Sequence, residues 1–191
     1  MTSVYHPIQL CSLLNLPAPA TQEATRLAWD IVTILEAWIQ RVRELDWGLL
    51  TAPTPARGRS LRVLTVNVFH PIELLSRAWS TGTFAWYPDR DPERVEALGD
   101  KNTVVGYAET IHQGWRTFVL DTGDRELAGR DPIIASPRGD LPYSSLLTAQ
   151  RWHAAFHYRQ LTLFLTGRGP TLSASLALDR FAGLTLPAEV F

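Results

Sequence analysis

Apolar residues recur every three or four positions through much of the chain, the repeat that turns one face of an α-helix toward a core. From Thr21 to Asp46 the series Leu27, Ile31, Ile34, Leu35, Trp38, Val42 and Leu45 keeps this spacing. Pro17 and Pro19 before it and Gly48, Pro53 and Pro55 after it bracket the element. A second helix is predicted from about Ser60 to Trp79, where LRVLTVNVFHPIELLSRAW is apolar nearly all round and reads as the most enclosed element. Pro71 inside it predicts a kink or a break, because proline has no N–H to give the preceding turn, and either outcome leaves backbone near Asn67 unpaired. The third helix spans about Thr103 to Leu120, with Val104, Ala108, Ile111, Trp115 and Val119 on its stripe. The fourth follows Pro142 with Ser144 or Ser145 as its cap and runs to about Thr166, where Gly167 and Gly169 end it.

The segments Ser80 to Asn102 and Asp121 to Tyr143 are rich in Pro, Gly and Asp and read as long loops, which in a compact domain are usually functional. The first carries a predicted short helix at Pro92 to Leu98, and its Trp86 and Tyr87 either cover a pocket or pack as loop aromatics. No strand pattern stands out, and no repeat of solenoid length is present. Four long helices in 191 residues predict an all-α, four-helix bundle as a single domain. Its helical core covers about 21–167, and an irregular tail, 168–191, wraps the outside. Trp29, Val32 and Ile39 lie off the main stripe of the first helix, which fits a homodimer contact.

Composition narrows the partners. A hydrophobic content of 46% is enough for one sizeable core, and a net charge of -1 sets up no field to draw a polyanion. Arg57, Arg59 and Arg62 form only a small cluster, so nucleic acid is not an expected partner. No stretch approaches the roughly 20 apolar residues of a membrane span, and the first residues lack the order of a signal peptide, so a cytoplasmic protein is expected. The lone Cys11 excludes an intrachain disulfide and a multi-cysteine zinc site, and beside leucines it reads as a small core hydrophobe. All but one of the 18 basic residues are arginine, a bias from which no function follows.

The candidate chemistry lies on the fourth helix. His153 and His157 are one turn apart on the stripe that carries Leu146, Ala149, Gln150, Gln160, Leu161 and Phe164, so both imidazoles face the core and can reach one metal ion. A third ligand must come from another helix, and His70, in the most apolar stretch and next to Pro71, is the best placed. His112 follows Glu109 at the Glu-x-x-His spacing of di-iron bundles, but that architecture needs two such pairs and further carboxylates. His112 is therefore expected at the rim, and His6 is incidental.

VNVFHPIELL on the second helix together with HAAFHYRQL on the fourth, in a four-helix chain of this length, resembles the DinB/YfiT-like superfamily of metal-dependent enzymes. The resemblance covers roughly Thr21 to Gly167, and its most specific part is the H-x-x-x-H-x-R-Q-L run. It implies a divalent metal, zinc or nickel, held by His70, His153 and His157 with water in the open positions. It also implies a small thiol as cosubstrate, acting on an electrophile, and pairing into a homodimer. Phe69, Pro71 and Tyr158 depart from the pattern and bear on substrate class. An ion of this kind lowers the pKa of a bound water or thiol, giving transfer, isomerisation or hydrolysis. Gln160 and Asn67, each one turn from a histidine, are expected to orient imidazoles, and Glu73 to act as a base or orienter. The competing expectation is a non-enzymatic helical interaction domain, metal-stabilised or metal-free.

Overall fold

Ser60 and Asp100 each begin a long helix by accepting a hydrogen bond from the backbone three residues on, at Val63 and Thr103. In the computed structural model, which describes residues 21–55, 57–87, 91–166 and 168, these caps open two of the four long helices. The described residues form α1 (Thr21–Glu44), α2 (Trp47–Thr51), α3 (Leu61–Thr81), α4 (Pro92–Glu96), α5 (Lys101–Gly129), the strands β1 (Ile133–Ser136) and β2 (Gly139–Pro142), and α6 (Tyr143–Leu165). The protein is mostly helical. The expectations placed on His6, Cys11 and the tail after Gly169 lie outside the described residues.

The predicted stripes become the core. α1 packs on α5 and α6, and α3 packs on the same two helices. Leu27, Ile31, Leu35, Trp38 and Val42 of α1 are buried, as are Val104, Ala108, Trp115 and Val119 of α5. Two indole N–H groups tie helices together inside this core: Trp115 donates to the Ala28 carbonyl at 3.1 Å, and Trp38 donates to Thr65 Oγ1 at 3.0 Å. Val32 and Ile39 are buried within the chain's own core and Trp29 packs against it, so the apolar excess read as a dimer contact is satisfied internally.

Several boundaries differ from the periodicity. The first helix stops at Glu44, because Asp46 takes the extended conformation of an N-cap and accepts from Leu49 N at 2.8 Å, starting α2. α3 runs without interruption through Pro71. The hydrogen bond that Pro71 cannot make is the one to the Asn67 carbonyl, one turn back. α5 is two helical segments joined by a kink at Gly123, at φ 67 and ψ 162 where only glycine sits without strain: the first ends close to the predicted Leu120, and the second continues to Gly129. The expected absence of strands is corrected by an antiparallel hairpin that pairs Ile133 with Pro142 and Ser136 with Gly139. Its turn places Gly139 at φ 98. Phe84 N donates to the Ala135 carbonyl at 2.8 Å and Ala135 N to the Gly82 carbonyl at 2.9 Å, so the hairpin anchors the start of the segment that carries Trp86. Among the described residues no helix is long and apolar enough to cross a membrane.

Candidate functional site

Spacings of three, four and three residues place Gln150, His153, His157 and Gln160 on one face of α6, and all four are at most 4% exposed. Four polar side chains in line inside an apolar core require partners, since a buried polar group left without one costs about 1–3 kcal/mol. The two imidazoles meet edge to face, their centroids 4.6 Å apart and their planes at 88°. His153 Nε2 lies 3.1 Å from Asn67 Oδ1 on α3, and His157 Nδ1 lies 2.6 Å from Gln160 Oε1. Amide oxygens only accept, so His153 donates from Nε2 and His157 from Nδ1. The imidazole lone pairs then fall on Nδ1 of His153 and Nε2 of His157. Trp86 packs on His153 with ring centroids 5.0 Å apart.

Gln150 differs from its three neighbours. It is fully buried, and neither its amide oxygen nor its amide nitrogen has a hydrogen-bond partner among the described residues. The sequence placed Gln150 on the histidine stripe without marking it as functional. Its position one turn before His153 was the signal available.

The other predicted residues lie elsewhere. His70 Nδ1 is 2.5 Å from Asp91 Oδ2, a carboxylate just before α4 that sequence reasoning did not single out. His153 and His157 lie together, and among the described residues no three His, Cys, Asp or Glu side chains group as a metal site requires. The fit to a divalent ion is that of two imidazoles, each oriented by an amide, with no third strong donor beside them among the described residues. Glu73 pairs with Arg77 and, at 3.2 Å, with Arg94. Glu109 is held by Arg43 at 2.5 Å. Burial pushes the His112 pKa below the ordinary histidine value, against the opposing pull of Glu36.

Beside the histidine pair is a cavity of about 520 Å³, within the usual range for small-molecule sites. Val63, Val66 and Trp86 give it an apolar wall, and Arg57, Arg59 and Arg62 line it with cations. Asn67 and Trp86 belong both to this cavity and to the contacts of His153. The imidazole pair thus lies one side chain behind the cavity wall. Asp91 and Glu96 complete the lining on the side of α4, and Tyr87 lies at the edge, 47% exposed. No protein-family model matches this chain, and neither a curated protein nor a solved structure matches it significantly.

Proposed function

We propose that this chain is a four-helix-bundle enzyme of the DinB/YfiT-like kind that acts on a small molecule, with His153 and His157 as its reacting centre. One observation carries the reading: two buried imidazoles in mutual contact, each fixed by an amide oxygen, directly behind a cavity of small-molecule size. An apolar core with no chemical role would hold aliphatic side chains there, without the desolvation that four polar groups bring.

His153 and His157 are the residues that would hold a divalent ion, zinc or nickel as the resemblance implies. When bound, such an ion supplies a water or thiol of lowered pKa, which gives transfer, isomerisation or hydrolysis. The remaining roles belong to the chain itself. Asn67 Oδ1 fixes the His153 ring, and Gln160 Oε1 fixes the His157 ring, so both lone pairs are held in set directions. Trp86 covers one edge of His153 and keeps solvent from the pair. His70 is left out of the pair because no group of three ligands forms with it among the described residues, and its contact with Asp91 orients it through Nδ1. Two imidazoles bind an ion less tightly than three, so the metal is expected to exchange with chelators.

The test is elemental mass spectrometry on untagged protein equilibrated with zinc or nickel. The expected result is about one equivalent in wild type and in His70→Ala, with loss in His153→Ala and His157→Ala. An equal loss in His70→Ala would restore the three-histidine set. A wild type that takes up neither ion would overturn the metal-dependent reading and leave a helical binding domain whose histidines are satisfied by amides.

A further inference from the structure

Val63, Val66 and Asn67 share one face of α3, and all three line the cavity in front of the histidine pair. Val95 of α4 and the Trp86 ring add apolar surface, and guanidinium and carboxylate side chains line much of the remainder. Asn67 is the one amide side chain among these lining residues, and it is 8% exposed. An amide has one acceptor oxygen and two N–H donors. The oxygen is committed, because Oδ1 accepts from His153 Nε2 at 3.1 Å. Nδ2 has no hydrogen-bond partner among the described residues. A buried amide nitrogen without a partner, on a residue that lines a cavity, marks where a ligand's acceptor belongs. The donor is also a strengthened one: His153 polarises the Asn67 amide by donating to its oxygen, and a polarised amide gives its own N–H more strongly to the next acceptor.

We propose that this cavity takes a small, largely apolar carbonyl compound, such as a ketone, ester or amide, whose oxygen accepts from Asn67 Nδ2 while its body lies against Val63, Val66 and Trp86. A volume of about 520 Å³ admits such a molecule. Asn67 is then the residue that sets specificity. A ligand without an acceptor leaves Nδ2 unpaired, and a site built to hydrogen-bond its ligand rejects analogues that lack the group. The same hydrogen bond draws electron density from the carbonyl carbon, which makes it an electrophile one side chain away from His153. That last role rests on the function proposed above, whereas binding through Asn67 does not.

The test is a titration of the full chain, metal-free and isotope-labelled, with acetophenone and with ethylbenzene, which has the same ring and lacks the acceptor. Both probes are neutral, which keeps the charged lining out of the comparison. Acetophenone should move the Asn67 side-chain N–H proton signals downfield, and ethylbenzene should not. Asn67→Asp keeps an oxygen for the His153 N–H and removes Nδ2, so it should weaken acetophenone about fivefold to tenfold and leave ethylbenzene unchanged. Circular dichroism reports whether this variant folds, and the wild-type signals decide the matter if it does not. Signals that move alike with both probes, no acetophenone binding up to its solubility, or acetophenone affinity unmoved in folded Asn67→Asp would overturn the proposal. The two readings fail separately: a chain that takes up neither zinc nor nickel yet shows the downfield shift loses the metal centre and keeps the acceptor site, and zinc uptake without the shift does the reverse.

Discussion

Asn67 and Gln150 are amides buried in one core, and they differ in having a partner. Asn67 Oδ1 accepts from His153, whereas both polar atoms of Gln150 lack a hydrogen bond among the described residues. Apolar replacement should therefore have opposite signs at the two positions. Gln150→Met, of similar volume, removes an unpaid desolvation and should raise stability by about 1 kcal/mol, while Asn67→Leu strands the His153 N–H and should lower it by about 1–3 kcal/mol. Urea denaturation read by circular dichroism checks both, and a destabilised Gln150→Met would show that the amide serves an internal water or ligand. The same residues show what sequence could resolve. His153 and His157 were legible because α6 has a defined stripe, so i and i+4 fix a common direction. α3 is apolar nearly all round, and Asn67 and His70, three residues apart, differ by only about 60° around its axis. Periodicity had no means to decide which of the two meets His153, and the structure turns Asn67 inward and His70 toward Asp91.

Elements outside the long helices position the site. The hairpin clamps Gly82 and Phe84 by two backbone hydrogen bonds, and two residues further on Trp86 reaches His153. Ala135→Pro deletes the donor to Gly82 and should loosen this segment. Amide exchange across residues 84–87 should accelerate by about tenfold, with global stability falling by about 1 kcal/mol. Exchange unchanged from wild type would mean that the Trp86 contact, not the hairpin, holds the segment. Neither feature was readable in advance. Strands of four residues with one buried position, Ile134 in β1, are too short to display alternation, and the bonds from Ala135 to Gly82 and Phe84 are tertiary contacts that no local pattern records. The short helical segment after the Gly123 kink was missed for a related reason: Gly123, Asp124 and Gly129 carry the composition of a loop, and the chain turns at Gly123 through a glycine-only conformation before it resumes helix.

On the scale of the whole molecule, the sequence conveyed which faces are buried but not where one histidine sits between two helices. His112, expected at the rim, is half-buried on α5, where the Glu36 carboxylate and the Arg116 guanidinium act on it in opposite directions. Burial outweighs Glu36 and lowers its pKa from 6.5, so the folded protein holds the ring neutral where the unfolded chain would protonate it. The sign follows from proton counting. Above pH 6.5 both states are neutral at His112 and its contribution to stability is fully present. As pH falls below that value the unfolded state takes up the extra proton, so stability declines until the folded pKa is passed. Urea denaturation between pH 8 and pH 5 should give a stability that drops on the acid side, and His112→Gln should reduce that slope by at most about one proton. A variant with the wild-type slope would show that the ring gains its proton without disturbing the α1–α5 contact, and would move the origin of acid sensitivity to the other packed groups of the core.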